Sequence, residues 1–298
     1  MKYNKGFQLQ YHLMLIPGIC MLILFSVVPM FGIAIAFQKF IPAKGIFGSP
    51  WIGLDNFRFM LQIPDSKQIF LNTIIIACSK IIVNLIVPLL FALLLNEVRV
   101  KWFKRTVQTM VYLPHFLSWV ILAGMFTSNI FSLDGMVNSV LGVFGIEPVF
   151  FMASNFWFRP IIVLTDVWKE FGFGTIVYLA AITGLDPGQY ESAVIDGANR
   201  MQKVLYITIP GIAATIVLLG TLSLGNVLNA NFDQIFNMYN TMVLKTGDII
   251  DTYVYRSGLL GAKYGLATAV GLMKSVISFI LIMTSYKLAD KFANYRIF

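Results

Sequence analysis

Apolar residues in this chain come in long runs, and polar residues are confined mostly to the gaps between the runs. Six runs reach the roughly 20 residues that a helix needs to cross a hydrocarbon core. They predict spans at 13–37, 69–95, 106–127, 161–185, 211–230 and 264–288. A run that is apolar all round has no face to turn to water, so the expected fold class is an all-α membrane protein. No repeat or low-complexity linker divides residues 1–298, so one domain is expected. The first run follows Lys2 and Lys5 and holds Ala34-Ile35-Ala36, features of a cleaved leader. It exceeds a leader's apolar core of about 7–15 residues, and Pro17 and Pro29 suit a bent permanent helix better. The stretch 130–157 carries Phe150, Phe151, Phe156 and Trp157 but is interrupted by Asp134, Gly135, Gly142, Gly145, Glu147 and Pro148. It is expected to lie on or re-enter the outer surface instead of forming a seventh span.

Composition sharpens this picture. The 298 residues are 58% hydrophobic and 12% charged, with a mean hydropathy of +0.78, against about 25% charged in globular domains. The net charge of +8 does not indicate nucleic acid, because the basic residues sit at the ends of apolar runs without stacking aromatics around them. Lys and Arg are denser on one side: Lys2, Lys5, the cluster Arg99, Lys101, Lys104 and Arg105, then Arg200, Lys203, Lys287, Lys291 and Arg296. That bias puts both termini and the segment 186–210 in the cytoplasm. Cys20 and Cys78 fall inside apolar runs, and His12 and His115 are the only histidines, which disfavours disulfide and metal chemistry. No G-x-x-x-x-G-K-[ST] pattern occurs, so this chain has no P-loop for ATP. An intramembrane hydrolase has little support: Ser118 is the serine nearest His115, and no G-x-S-x-G is present.

The segment 186–210 is a polar, turn-bearing insert between two apolar runs. Asp186-Pro187-Gly188-Gln189 offers a capping carboxylate, a proline at the first helical position and a Gln placed for a capping box, so a helix is predicted to start near Pro187. Asp196-Gly197 supplies a left-handed turn, and a second helix is predicted from Ala198-Asn199-Arg200 to a stop at Pro210. The order Glu191-Ser192-Ala193-x-x-Asp196-Gly197-Ala198 with Ile207-x-x-Pro210 resembles the EAA loop of bacterial ABC importer permeases, with Ser192 where the family more often has Ala. Tyr112-Leu113-Pro114-His115-Phe116 with Trp119, Asp134-Gly135 with Asn138, Phe232-Asp233-Gln234-Ile235-Phe236 and Asp248-Ile249-Ile250-Asp251-Thr252-Tyr253 resemble the oligosaccharide and polysaccharide branch, of the maltose-permease type. The resemblance implies six spans with a cytoplasmic coupling helix between the fourth and fifth. It implies contact with an ATPase through Glu191, Ala193, Asp196, Gly197, Ala198 and Pro210. It also implies a homologous second permease, two ATPase subunits that carry the ATP and Mg, and an extracellular or periplasmic sugar-binding protein that meets outer segments such as 245–263. This chain would then hold no cofactor, sit in the bacterial cell membrane and translocate a carbohydrate.

Ionisable groups inside spans cost about 2.5–3.5 kcal/mol each on insertion scales and need a reason to be there. They are Lys80, Lys274 and the trio Asp166, Lys169 and Glu170, which share a helical face at i, i+3 and i+4. One reading is a polar wall that hydrogen-bonds sugar hydroxyls; the other is internal ion pairing or snorkelling. With aromatics able to pack on sugar faces, among them Phe171 and Tyr178, the candidate substrate pathway comprises Trp119, Asp166, Trp168, Lys169, Glu170, Phe173, Asn226, Asn229, Asn231 and Gln234. Bilayer packing and helix-to-helix amide bonds are the bland alternatives for the aromatics and amides. An ion-coupled secondary transporter using Asp166 or Glu170 is the competing function, though it leaves the Glu191 stretch unexplained; a permease for a non-sugar solute is another. Gly261, Gly265 and Ala269 are expected to form a close helix-packing face.

Overall fold

The computed structural model describes residues 5–293, with side chains described over 11–287. Lys2 and Arg296, and the side chains of Lys5 and Lys291, used above for orientation, lie outside the described residues. The described residues are helical apart from loops and one isolated bridge between Gln38 and Trp51. The helices that matter here are α1 (Tyr11–Phe37), α2 (Asp55–Gln62), α3 (Ser66–Glu97), α4 (Lys101–Phe116), α5 (Trp119–Ile130), α6 (Met136–Val143), α7 (Phe158–Thr183), α8 (Pro187–Ile195), α9 (Arg200–Gly211), α10 (Ala213–Leu224), α11 (Phe232–Met238) and α12 (Tyr264–Ala293). They pack as two compact units. Residues 5–66 with Tyr253–Lys274 form one; Lys67–Thr252 with residues 275–293 form the other.

In the first unit, α1 is not a uniform helix. A π turn at Ile23–Val27 precedes Pro29 and a 3-10 segment, Phe31–Phe37, follows it. Proline lacks the N–H that would close the preceding turn, and the widened turn absorbs the missing bond. Asn56 on α2 donates to the carbonyls of Ala36 (2.8 Å) and Gln38 (3.1 Å), holding the end of α1. Gly265 meets the same place: a Cβ there would lie 2.6 Å from the Gln38 carbonyl oxygen. Ala269, one turn on, is fully buried. Gly261 does not share this face as expected; it precedes the first residue of α12, and a Cβ on it would meet the Ser257 and Arg256 carbonyls of its own preceding turn. Gly265→Leu should therefore lose about 3 kcal/mol or more through overpacking against backbone, seen as a drop in monodisperse protein after detergent extraction.

In the second unit, α3 and α7 are the long elements. α7 crosses α4 at Gly172, where any Cβ would collide with the Val111 carbonyl. The predicted span 106–127 is not one rod: α4 and α5 meet at 102°. Pro114 removes a helical N–H, Leu117 is extended, and Ser118 restarts the chain by capping the Ile121 N–H. The predicted span 211–230 is likewise helical only to Leu224. Beyond it Asn229 accepts from the Asn231 N–H at 3.4 Å, and Asn231, in the left-handed conformation (φ 68°), caps α11. Asn side chains bonding local backbone compete with helix continuation, which is why an apolar run alone misjudged this end. α6 is eight residues long, too short to cross, in keeping with the interrupted stretch 130–157. At one end of this unit, Asn72 donates to the carbonyls of Lys245 (3.1 Å) and Asp248 (2.9 Å) and accepts from Arg159 Nη2 (2.6 Å), tying α3 and α7 to the 245–248 loop.

Three helices, Tyr11–Phe37, Ser66–Glu97 and Tyr264–Lys287, are long and apolar enough to cross a membrane, and the bent pairs α4–α5 and α9–α10 would add one each. α7 has 26 residues, about 39 Å at the helical rise, but carries Arg159, Asp166, Lys169 and Glu170. Large side chains such as Met14, Phe25, Leu94 and Phe279 are exposed, as a bilayer solvent allows.

Candidate functional site

The trio on α7 does not form one wall; the structure sends its members to two clusters. Asp166 pairs with Lys80 of α3 at 3.0 Å, and both side chains are only 7% exposed. The Lys80 ammonium also donates to the Ala230 carbonyl (2.9 Å) and to Gln234 Oε1. Gln234, fully buried, donates to the Ile162 carbonyl and Thr165 Oγ1, both at 2.8 Å. Asn84 donates to Asp166 Oδ2 (3.0 Å) and Asn231 to Asp166 Oδ1 (3.4 Å). The left-handed turn that caps α11 is what aims Asn231 at Asp166. Opposite charges at contact, each with further hydrogen bonds, are the condition under which a buried pair is tolerated. This network joins α3, α7 and the break before α11 and buries the ion pair, with Asn84 Oδ1 left without a hydrogen-bond partner.

The second cluster lies at the α4–α5 corner and is open. Lys169 donates to the His115 carbonyl (2.6 Å) and Glu170 Oε1 (3.0 Å), and its ammonium stands 5.8 Å from the centre of the Trp119 ring. Glu170 Oε2 is 2.6 Å from His115 Nδ1, and the imidazole lies flat on Phe173, 4.1 Å between centroids at 5°. The side chains of His115 and Glu170 are 28% and 32% exposed.

The insert 186–210 is a helical hairpin. Asp186 caps α8 by accepting from the Gly188 N–H at 2.9 Å. The reciprocal capping box, expected from Asp186 and Gln189, is instead made by Asn199 and Gln202 at 2.7 and 2.9 Å. Between the helices Gly197 has φ +79°; its N–H bonds the Val194 carbonyl and that of Ala198 the Ala193 carbonyl, which is a Schellman ending. Pro210 does not stop the second helix. A π turn at Val204–Thr208 takes up the bond that Pro210 cannot make, and the chain bends by 59° only at Ile212. Tyr190 Oη and Thr208 Oγ1, 2.9 Å apart, pin the two helices together. Glu191, Asp196 and Gly197 are exposed, and Ala193, Asp196, Gly197, Ala198, Gln202 and Tyr206 line a notch of about 330 Å³.

Of the candidate pathway residues, the structure thus joins Asp166, Asn231 and Gln234 in the buried network and Trp119, Lys169, Glu170 and Phe173 at the open corner. Trp168 meets Phe126 edge-on (5.6 Å), and Asn226 (to the Leu222 carbonyl, 3.5 Å) and Asn229 are spent on local backbone; none of the three joins either cluster. Phe171 packs edge-on against Phe91, and Tyr178 is buried beside Ala92, Ile182 and Ile212. Sequence reasoning missed His115 and Asn84; the available signal was a polar side chain in the middle of an apolar run, next to Pro114 in one case.

Residues 84–291 match the family described as the binding-protein-dependent transport system inner membrane component. The chain is 40% identical over 287 residues to the polygalacturonan/rhamnogalacturonan transport system permease protein YteP of Bacillus subtilis (strain 168), covering 96% of this chain and 89% of that one. It superposes with a TM-score of 0.88 and 37% identity, over 97% of both chains, on a bacterial ABC transporter involved in import of the acidic polysaccharide alginate. A bacterial alginate ABC transporter in complex with an alginate pentasaccharide-bound periplasmic protein gives 0.87 and 37% over 96% of both chains.

Proposed function

Because the chain belongs to the binding-protein-dependent transport system inner membrane components, we propose that it is the multi-pass permease subunit of an ATP-driven importer of oligosaccharides, the fragments of polysaccharides like those named for its relatives. Residues 1–298 act as one permease domain that crosses the membrane six times, through α1, α3, the bent pair α4–α5, α7, the bent pair α9–α10 and α12, with both termini in the cytoplasm. A second, homologous permease completes the pathway, two ATPase subunits bind ATP and Mg and hydrolyse the ATP, and a soluble sugar-binding protein delivers the substrate on the outer side.

The observation that carries this reading is the hairpin α8–α9. It is capped at both starts, closed by a Schellman turn and pinned by Tyr190 and Thr208, so it holds one shape. Its tip exposes apolar Val194 (58%) and Ile195 (87%) beside Glu191, and an apolar tip on a polar loop marks a protein contact. Glu191, Ala193, Asp196, Gly197, Ala198 and Pro210 are the coupling residues in this reading. The tip presents the contact, Gly197 sets the reversal and Pro210 sets the path toward Ile212. Of the candidate pathway, Phe173 and Glu170 are exposed at the open corner toward the substrate, with Trp119 and Lys169 buried behind them, while the network around Asp166 holds the helices.

Gly197→Pro removes both the left-handed φ and the N–H bonded to Val194, a change of about 3 kcal/mol or more at the turn. Co-expressed with the second permease and the ATPase, wild type should retain the ATPase through purification and Gly197→Pro should lose it, with membrane insertion equal in both. No retention by wild type would remove the importer reading and direct the work to ion-gradient-driven uptake.

A further inference from the structure

The two polar clusters on α7 differ in one respect that matters inside a bilayer. The Lys80–Asp166 network is sealed by its own chain. The His115–Glu170 pair is not, with nearly a third of each side chain exposed. A charged or strongly polar side chain at membrane depth faces other protein or a water-filled cavity, because lipid cannot solvate it. The backbone beside it gives the same answer independently. The chain is non-helical at the corner, and Phe116, Leu117 and Ser118 are exposed there. Irregular backbone at membrane depth is tolerated only when covered by protein or lining water.

The chemistry at the corner is specific. Glu170 shares its carboxyl group between Lys169 and His115 Nδ1. In the neutral tautomer that donates from Nδ1 to Glu170, Nε2 is left as an acceptor. The His115 ring is fixed in plane by that hydrogen bond and by the Phe173 face beneath it. An acceptor fixed beside an exposed aromatic face suits a saccharide, which offers hydroxyl donors on its rim and C–H bonds on its faces.

Resting on the importer reading above, we propose that the α4–α5 corner lines the aqueous translocation pathway and that His115 Nε2 accepts a hydrogen bond from a hydroxyl of the passing oligosaccharide, with Phe173 packing on a sugar face. Glu170 and Lys169 act as positioning residues: they set the tautomer and orientation of His115.

Two measurements on the purified complex with its ATPase and binding protein test this. In a background with Cys20 and Cys78 replaced by Ser, Phe173→Cys should react with a charged, membrane-impermeant thiosulfonate, and oligosaccharide-loaded binding protein should slow the reaction several-fold. Leu164→Cys, 63% exposed on the opposite face of α7, should react only with a lipid-soluble maleimide. Phe173→Cys inert to the charged reagent, or reactive at a rate the sugar does not change, overturns the proposal. In the second measurement His115→Phe, which keeps the stacking and loses the acceptor, should raise the half-saturating sugar concentration for stimulated ATP hydrolysis about tenfold, the worth of one good hydrogen bond. His115→Gln, which keeps an acceptor, should recover most of that loss; equal effects of Phe and Gln overturn the hydrogen bond. Wild type is run first. Absent sugar-stimulated hydrolysis there refutes the importer reading, whereas its presence with a negative cysteine result refutes only the placement of this corner.

Discussion

Lys80→Met alone is expected to destabilise the purified protein by about 3–5 kcal/mol, because it leaves the Asp166 carboxylate buried without its counter-charge. Asp166 would keep only the hydrogen bonds from Asn84 and Asn231, and two amides do not replace a cation 3.0 Å away. Gln234 and the Ala230 carbonyl would lose their shared donor as well. The double variant Lys80→Met with Asp166→Leu should recover most of the loss, since a dry pair can be exchanged for apolar groups of similar volume at little net cost. Thermal unfolding in detergent, followed by the appearance of reactive thiols or by loss of the monodisperse peak, reads both. Should the single variant melt within a degree or two of wild type, water reaches the pair and the buried network is not what holds α3 to α7.

Gly172→Leu should be more damaging still. The α7 backbone sits directly on the Val111 carbonyl, and no rotamer moves a Cβ out of the way. The expected outcome is failure to accumulate folded protein, with Gly172→Ala already lowering yield and melting temperature by the 1–3 kcal/mol typical of overpacking. Gly174, two residues on, is the contrast. Its Cβ would meet the Pro88 ring at 3.1 Å, a milder approach than the backbone collision at Gly172, so Gly174→Ala should fold and lose less than Gly172→Ala. Protease resistance of membrane-embedded protein ranks the three variants without requiring transport.

Much of this architecture was legible because bilayer insertion imposes a pattern on sequence: length and apolarity located three helices long enough to cross a membrane and two bent pairs, and Asp196-Gly197 announced a turn whose left-handed glycine is a local chemical need. What escaped was decided by neighbours far away in sequence. Asp166, Lys169 and Glu170 share a helical face by spacing, yet a face is wide enough to meet two partners, and Lys80 and His115 each claim one side of it. Nothing within a few residues of Asp166 points to a lysine on α3. The breaks were missed for a local reason instead: an apolar run says that a segment is in the membrane but not that it is straight, and Pro114 and the 226–231 asparagines outweighed the run. Gly261, Gly265 and Ala269 show the limit of a spacing rule, since four-residue spacing places residues on one face only where the helix has already begun. The capping box formed at Asn199–Gln202 and not at Asp186, whose carboxylate is spent on the Gly188 N–H.

The pinned hairpin has an implication for how such a subunit can diversify. Everything that fixes its shape lies in the caps, the Gly197 turn and the Tyr190–Thr208 pin, while Val194 and Ile195 at the tip project away from the chain that carries them. Shape and recognition are therefore written in different residues. On the coupling role proposed above, a lineage could alter the tip to accept a different ATPase without refolding anything behind it. The hairpin would then work as an interchangeable fitting, with the motor specified separately from the cargo.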